Sequence, residues 1–356
     1  MIKLDHLQSY ELTLITQGLL FVGSGKKIPK KEYLLDVRKG TVSFLNEQAF
    51  FDLLVQYKLV DLFESYCMRS DDNLYNFIYK ECRLTNEQVK PAILYEVSAG
   101  NALDGQHSLK EINGLMRNAK QEAYIPGSSL KGAIRTAILF DMIQRENSAG
   151  HSLEARKLPE ENYLHTLDIN KNKPTDAVNS IMRGIQISDS EPITNQRLTL
   201  SMKTDSNVDG DTHTINLCRE CVAPGTSIKF RLTLDQSVLK NTITILSIMN
   251  ALRAFYSYQQ RTYAGKFSSP VGSIKVSGQC LMTFGGGAGF FTKSLAYPYL
   301  GEKNGLQWTA TQLQQSFRSH HHDGDPQNFG ISPRTMKYAQ YQGKLYSFGT
   351  CEVVIR

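Results

Sequence analysis

The residues from Tyr10 to Thr16 alternate apolar and polar, the period-two pattern of a half-buried strand, and the alternation returns at Ser227–Leu234. Leu198–Thr204 and Thr214–Cys218 are further strand candidates around a polar tip at Asp205–Asp211. Glu32–Asp36 and Thr41–Leu45 flank Arg38-Lys39-Gly40, which predicts a hairpin. Ile181–Ser188 and Tyr346–Ile355 complete the strand candidates, the second as a closing strand. A helical period takes over between them. Leu130, Ile134, Ala137 and Ile138 recur at i, i+4, i+7 and i+8 and predict a helix running to Ile143. Ala49–Lys58, Leu239–Tyr258 and Thr311–Arg318 also read as helical, as does Leu109–Ala119 with Ile112, Leu115, Met116 and Ala119 on one face. Two stretches interrupt the order. Residues 60–95 are polar and aromatic, with helical pieces at Asp61–Tyr66 and Leu74–Cys82, and residues 146–175 are polar, with Pro159 and Pro174.

Each half of the chain thus holds strands, a helix and a glycine-rich loop. That predicts an α+β protein of two domains, 1–195 and 196–356, with insertions near 60–95 and 146–175. The chain's 356 residues, 41% hydrophobic and 21% charged, suit two globular domains with a real core. The net charge of +6 permits nucleic acid as a partner without requiring it. No apolar run approaches the ~20 residues of a membrane span, and Met1-Ile-Lys-Leu-Asp-His6 is too polar for a signal peptide. Six scattered cysteines are then expected to be reduced thiols, and the cytoplasm is the expected compartment.

The chemistry concentrates at Tyr124-Ile-Pro-Gly-Ser-Ser-Leu-Lys-Gly-Ala-Ile-Arg-Thr136. Pro126 and Gly127 form a tight turn into the helix, and Ser128 or Ser129 can cap it. Ser128, Lys131 and Arg135 share a face at i, i+3 and i+7. Free N–H groups, hydroxyls and two cations at a helix start suit a phosphate. Capping alone explains the serines. It does not explain Gly132, which costs helix stability and suits close approach of a ligand backbone.

Other candidates are weaker. Gly23-Ser24-Gly25-Lys26-Lys27 fails the nucleotide P-loop spacing, since Leu20 and Lys27 occupy the positions that need glycine and serine or threonine. Its lysines, with Lys30 and Lys31, are as readily a solvated basic loop. The loop Gly285–Lys293 suits close backbone approach, with Gly286, Gly287 and Lys293 toward a ligand and Phe290 and Phe291 toward the core. Cys218 and Cys221 with His213 give half a zinc site at most, and His320-His-His322 with Asp323 and Asp325 reads as an exposed polar loop, so no metal or other cofactor is expected. No nucleophile elbow or His-Glu-x-x-His helix is present.

The Ile125–Thr136 run resembles the glycine-rich segment of the RAMP superfamily of CRISPR-associated RNA-binding proteins, and within it most resembles the subunit that stands fifth among the Csm proteins of type III-A effector complexes. The order Arg183, Ser188, Asp189, Ser190, Pro192 and the turn Arg219, Glu220, Pro224, Gly225, Thr226 follow the same pattern. The resemblance implies two ferredoxin-like domains and a non-catalytic RNA-binding role, capping the 3′ side of a guide RNA and supporting its maturation. It also implies partners: guide RNA, other Csm backbone subunits and a host 3′–5′ exoribonuclease, but no membrane. The expected RNA contacts are Gly23, Ser24, Gly25, Lys26, Gly127, Ser128, Ser129, Lys131, Gly132, Arg135, Arg183, Gly286, Gly287 and Lys293. The alternative is an endoribonuclease that processes the guide itself, with His107, His165 or Asp189 as acid–base groups.

Overall fold

The alternation at the start of the chain does what its period requires. In β1 (Leu7–Thr16), Leu12, Leu14 and Thr16 are buried while Glu11 stays outside. The computed structural model describes residues 6–69, 73–103, 109, 111–146, 160–267 and 280–356. Within them follow β2 (Gly23–Pro29), β3 (Tyr33–Asp36), β4 (Thr41–Leu45), β5 (Ile93–Ser98), β6 (Glu111–Leu115), β7 (Ile185–Ile187), β8 (Leu198–Asn207), β9 (Thr212–Val222), β10 (Ser227–Asp235), β11 (Leu281–Thr283), β12 (Thr335–Tyr341), β13 (Lys344–Ser347) and β14 (Thr350–Ile355).

β1 lies between β10 and β14 in an antiparallel sheet of order β11-β14-β1-β10-β7. In chain order the parts are β1, the helix Gly127–Arg145, β7, β10, the helix Ile245–Thr262 and β14. Their spatial order is fourth, first, third, second, a ferredoxin-like arrangement with β11 added at one edge. The two helices pack together through Phe140, whose ring lies 5.1 Å from both Phe255 and Tyr258. Leu130, Ile134, Ala137 and Ile138 are buried, as their spacing predicts. Each large side chain among them contributes about 1.5–3 kcal/mol of hydrophobic stabilisation.

The larger sheet runs β2-β6-β9-β8-β5-β4-β3, and the β12–β13 hairpin also joins it through β8. β8 and β9 make a long hairpin with a bulge between Met202 and Lys203. Both sheets take strands from either side of residue 195, and one continuous apolar core includes Leu12, Ile134, Leu200 and Val353. The α+β class expected from the sequence is the class observed.

Several elements differ from the sequence reading: Ile181–Gly184 is a helical turn before a strand of only three residues, the expected closing strand Tyr346–Ile355 is divided between β13 and β14, and the helix expected at Thr311–Arg318 runs from Glu302 to Ser316. Leu109–Ala119 is not a helix: Glu111–Leu115 is strand β6, held between β2 and β9. The spacing of Ile112 and Leu115 fits either form, and flanking strands decide it. The first glycine loop is largely strand β2, with Gly25 at φ +83° inside a bulge. The helix expected from Leu239 begins at Ile245, because Lys240 and Asn241 turn left-handed and Thr244 with Ser247 forms a capping box. The 60–95 insertion, by contrast, shares a second core with Leu34, Phe50, Leu53 and Leu54 around the fully buried Tyr66 and Phe77, stacked 4.6 Å apart.

Candidate nucleic-acid interface

The Pro-Gly turn is fixed by packing. A Cβ at Gly127 would stand 2.2 Å from the Ser188 carbonyl oxygen and 2.3 Å from that of Ile187, so only glycine lets the helix start sit on the end of β7. The Gly127 amide donates to the Asp189 carboxylate at 2.9 Å, and the Ile125 amide donates to Ser190 Oγ at 2.9 Å. Ser188 Oγ accepts from the Arg231 amide of β10. Ser188-Asp189-Ser190 therefore clamps the helix start to the first sheet. Pro126 is the N-cap and no serine side chain caps the helix, so the capping expected of Ser128 or Ser129 is supplied instead by Asp189. A carboxylate at a helix N-terminus also satisfies the dipole.

What remains on the outer side of the helix is polar and open. Ser128 and Gly132 are exposed, and a Cβ at Gly132 would meet nothing within 4 Å, so packing gives no reason for that glycine. Lys131 is half-buried without an acidic partner among the described residues, and burial pushes its ammonium below the usual lysine range. Arg135 is different: it makes an ion pair with Glu160. Burial lowers its pKa, against the pull of Glu161. Arg183 lies at the far end of β7 from this turn, exposed, and donates to the Val178 carbonyl at 2.9 Å.

The first and second glycine loops meet. The Gly286 amide donates to the Phe21 carbonyl at 2.7 Å, the Met116 amide to that of Val22 at 3.0 Å, and the Tyr124 amide to that of Met116 at 3.1 Å. This ladder sets residues 21–23, 285–287 and the helix turn side by side. The cations of the first loop are already compensated. Lys26 pairs with Glu32 at 3.5 Å and Glu47 at 3.2 Å, and Lys27 with Glu111 at 3.1 Å. Ser24 Oγ donates to the Gly114 carbonyl, binding β2 to β6. Lys293 is exposed, while Phe291 is buried and stacks on Tyr263.

The remaining candidates fall into structural places. Cys218 and Cys221 are buried in β9, where desolvation pushes the Cys218 thiol up to about 12. Among the described residues no cluster of three metal-ligating side chains occurs. The histidine segment is exposed at His320, His321 and Asp323, but His322 and Asp325 turn inward. His322 Nδ1 lies 2.8 Å from Asp325 Oδ2, and the fully buried Asp325 also accepts from Ser332 Oγ and Arg334. A polar network packs this corner, which loop composition could not reveal. His165 contacts the Pro174 carbonyl at 3.2 Å, Asp189 is engaged by the helix amide, and His107 lies outside the described residues.

Sequence reading missed one buried pair. Glu220, fully buried, accepts from Arg117 at 2.5 Å and from the Leu115 amide at 3.0 Å, while the Arg117 guanidinium lies 3.5 Å over the Tyr95 ring. An open groove of about 590 Å³ along β1 and β10 is lined by Glu11, Asp189 and Glu191 against Lys229 and Arg231, an acidic excess that disfavours phosphate. Among the described residues no helix is long and apolar enough to cross a membrane.

The sequence matches the RAMP superfamily model over residues 12–265. It is 26% identical to the CRISPR system Cms protein Csm5 of Mycobacterium tuberculosis, across 99% of this chain and 98% of that protein. It is 27% identical to the protein of the same name from Streptococcus thermophilus, across 81% and 80%. Two solved structures share the fold. A chain of a Csm–crRNA–target RNA ternary complex of a type III-A CRISPR-Cas system has a TM-score of 0.61 at 16% identity, covering 98% of this chain and 100% of that one. The crystal structure of T. onnurineus Csm5 has a TM-score of 0.58 at 15% identity, covering 96% and 99%.

Proposed function

The chain belongs to the RAMP superfamily, and from that premise we propose that it is a non-catalytic, RNA-binding subunit of a type III-A CRISPR ribonucleoprotein. The observation that carries this is the similarity, over nearly its whole length, to proteins named Csm5. The finer role proposed is to cap the 3′ side of the guide RNA and support its maturation, beside other Csm subunits and with a host 3′–5′ exoribonuclease.

The geometry offers a means. The Ser128 amide, the half-buried Ser129, the open backbone at Gly132 and Lys131, which has no acidic partner among the described residues, lie together at the helix start, where phosphate is electrostatically favoured. None of them reads a base edge, which suits a subunit that must accept any guide sequence. The exposed Lys293 and the backbone of Gly286 and Gly287 extend the same surface through the Phe21 ladder. Arg135, already paired, contributes in our reading mainly by holding residue 160 against the helix. Lys26 and Gly23–Gly25 are proposed as backbone contacts rather than free cations.

The test is to express the tagged chain with its CRISPR locus and sequence the RNA that co-purifies. Repeat-derived guides of stepped 3′ length, together with companion subunits, are expected. A preparation free of RNA and partners would overturn the proposal.

A further inference from the structure

The hairpin β8–β9 and strand β12 bring Lys203 and Lys337 onto a single carboxylate, Asp205, with Arg219 within reach of its charge. Lys203 Nζ lies 3.0 Å and Lys337 Nζ 2.7 Å from the same Asp205 oxygen, and the other Asp205 oxygen is buried with no hydrogen-bond partner among the described residues. Arg219 feels the Asp205 charge but forms no ion pair among the described residues. Its guanidinium lies 5.5 Å from the centre of the Phe21 ring and 5.4 Å from that of Phe348. Burial lowers the pKa of both Arg219 and Lys337.

Among the described residues, three cations against one acid leave two positive charges uncompensated, and gathering them out of water is unfavourable unless an anion completes the group. The site is still reachable: the side chains of Lys203, Asp205 and Lys337 are 21%, 17% and 22% exposed. The second glycine loop lies directly over them. A Cβ at Gly287 would stand 2.6 Å from an Arg219 nitrogen, and one at Gly289 would lie 3.6 Å from Lys337 Cγ. With φ of +90° and +105°, both positions favour glycine on backbone grounds as well.

We propose that Lys203, Arg219 and Lys337 form a second phosphate site, in which a backbone phosphate of single-stranded RNA binds at the edge of the 285–289 loop and draws the lysines from Asp205. This rests on the RNA-binding reading above and adds residues that reading does not contain. Arginine presents a planar fork to the phosphate while the lysines act as point charges, and Asp205 holds the lysines in place until RNA arrives.

The test uses the native assembly, co-expressed with its locus partners, before and after nuclease digestion. Amine acetylation and phenylglyoxal labelling are read by mass spectrometry. Lys203, Lys337 and Arg219 are expected to label several-fold less in the RNA-loaded assembly, and ultraviolet cross-links to RNA are expected in the β8 or β12 peptides. Equal labelling with and without RNA, in an assembly shown to carry RNA, overturns the second site and leaves the RNA-binding reading standing. An assembly that carries no RNA overturns both.

Discussion

Gly127 and Gly132 lie five residues apart in one helix and have opposite reasons to be glycine. Gly127 sits against two carbonyl oxygens of the β7 end, so Gly127→Ala is expected to cost about 1–3 kcal/mol by overpacking, read as a lower urea midpoint. Gly132 faces open space inside a helix, so Gly132→Ala is expected to stabilise the fold by about 0.5–1 kcal/mol while weakening RNA binding. A variant more stable and equally able to bind RNA would remove Gly132 from the interface. The sequence shows both glycines but not which one the fold requires, because the carbonyls that crowd Gly127 come from residues 187 and 188. The same holds for Asp189: its place after the strand is readable, but its capping of a helix 62 residues earlier is a tertiary fact. Thiol chemistry is a further check at this scale. With Cys218 pushed up to about 12 and Cys221 raised by burial, iodoacetamide at pH 8 is expected to label the half-exposed Cys67 and spare both.

At the scale of elements, strands that the period misassigns are fixed by their neighbours. β6 is short, and its apolar spacing does not distinguish strand from helix; it is a strand because β2 and β9 supply hydrogen-bond partners. Glu220 joins the two elements, accepting from the Leu115 amide of β6 and from Arg117 beyond it. Removing one partner leaves a buried charge alone, so Glu220→Ala is expected to cost about 3–5 kcal/mol in chemical denaturation. Arg117→Met with Glu220→Leu should recover most of that loss, and a double variant as unstable as the single one would contradict this role for the pair. The first loop teaches the related lesson for charge. Its lysines read in the sequence equally as RNA contacts or as a solvated basic loop, and in the structure Glu32, Glu47 and Glu111 neutralise two of them.

At the scale of the molecule, the first and last strands meet. β1 and β14 are neighbours in one sheet, so the ferredoxin-like order emerges only when the last strand is in place. Local patterns supplied most strands and the central helix, and the Ile125–Thr136 motif supplied the family. Neither could show the cation group at Lys203, Arg219 and Lys337, whose members are separated by 134 positions in the chain.

The measurement that bears most directly on the interface is RNA affinity against salt for wild type and Lys131→Glu, using two unrelated single-stranded RNAs. Lys131 has no acidic partner to strand among the described residues, so the fold should survive the substitution. Affinity for both RNAs is expected to fall by a similar factor, and the salt slope to become shallower by about 0.7 for each phosphate that is no longer neutralised. A folded variant with unchanged affinity and slope, or a weakening confined to one RNA sequence, would contradict phosphate binding at this helix start.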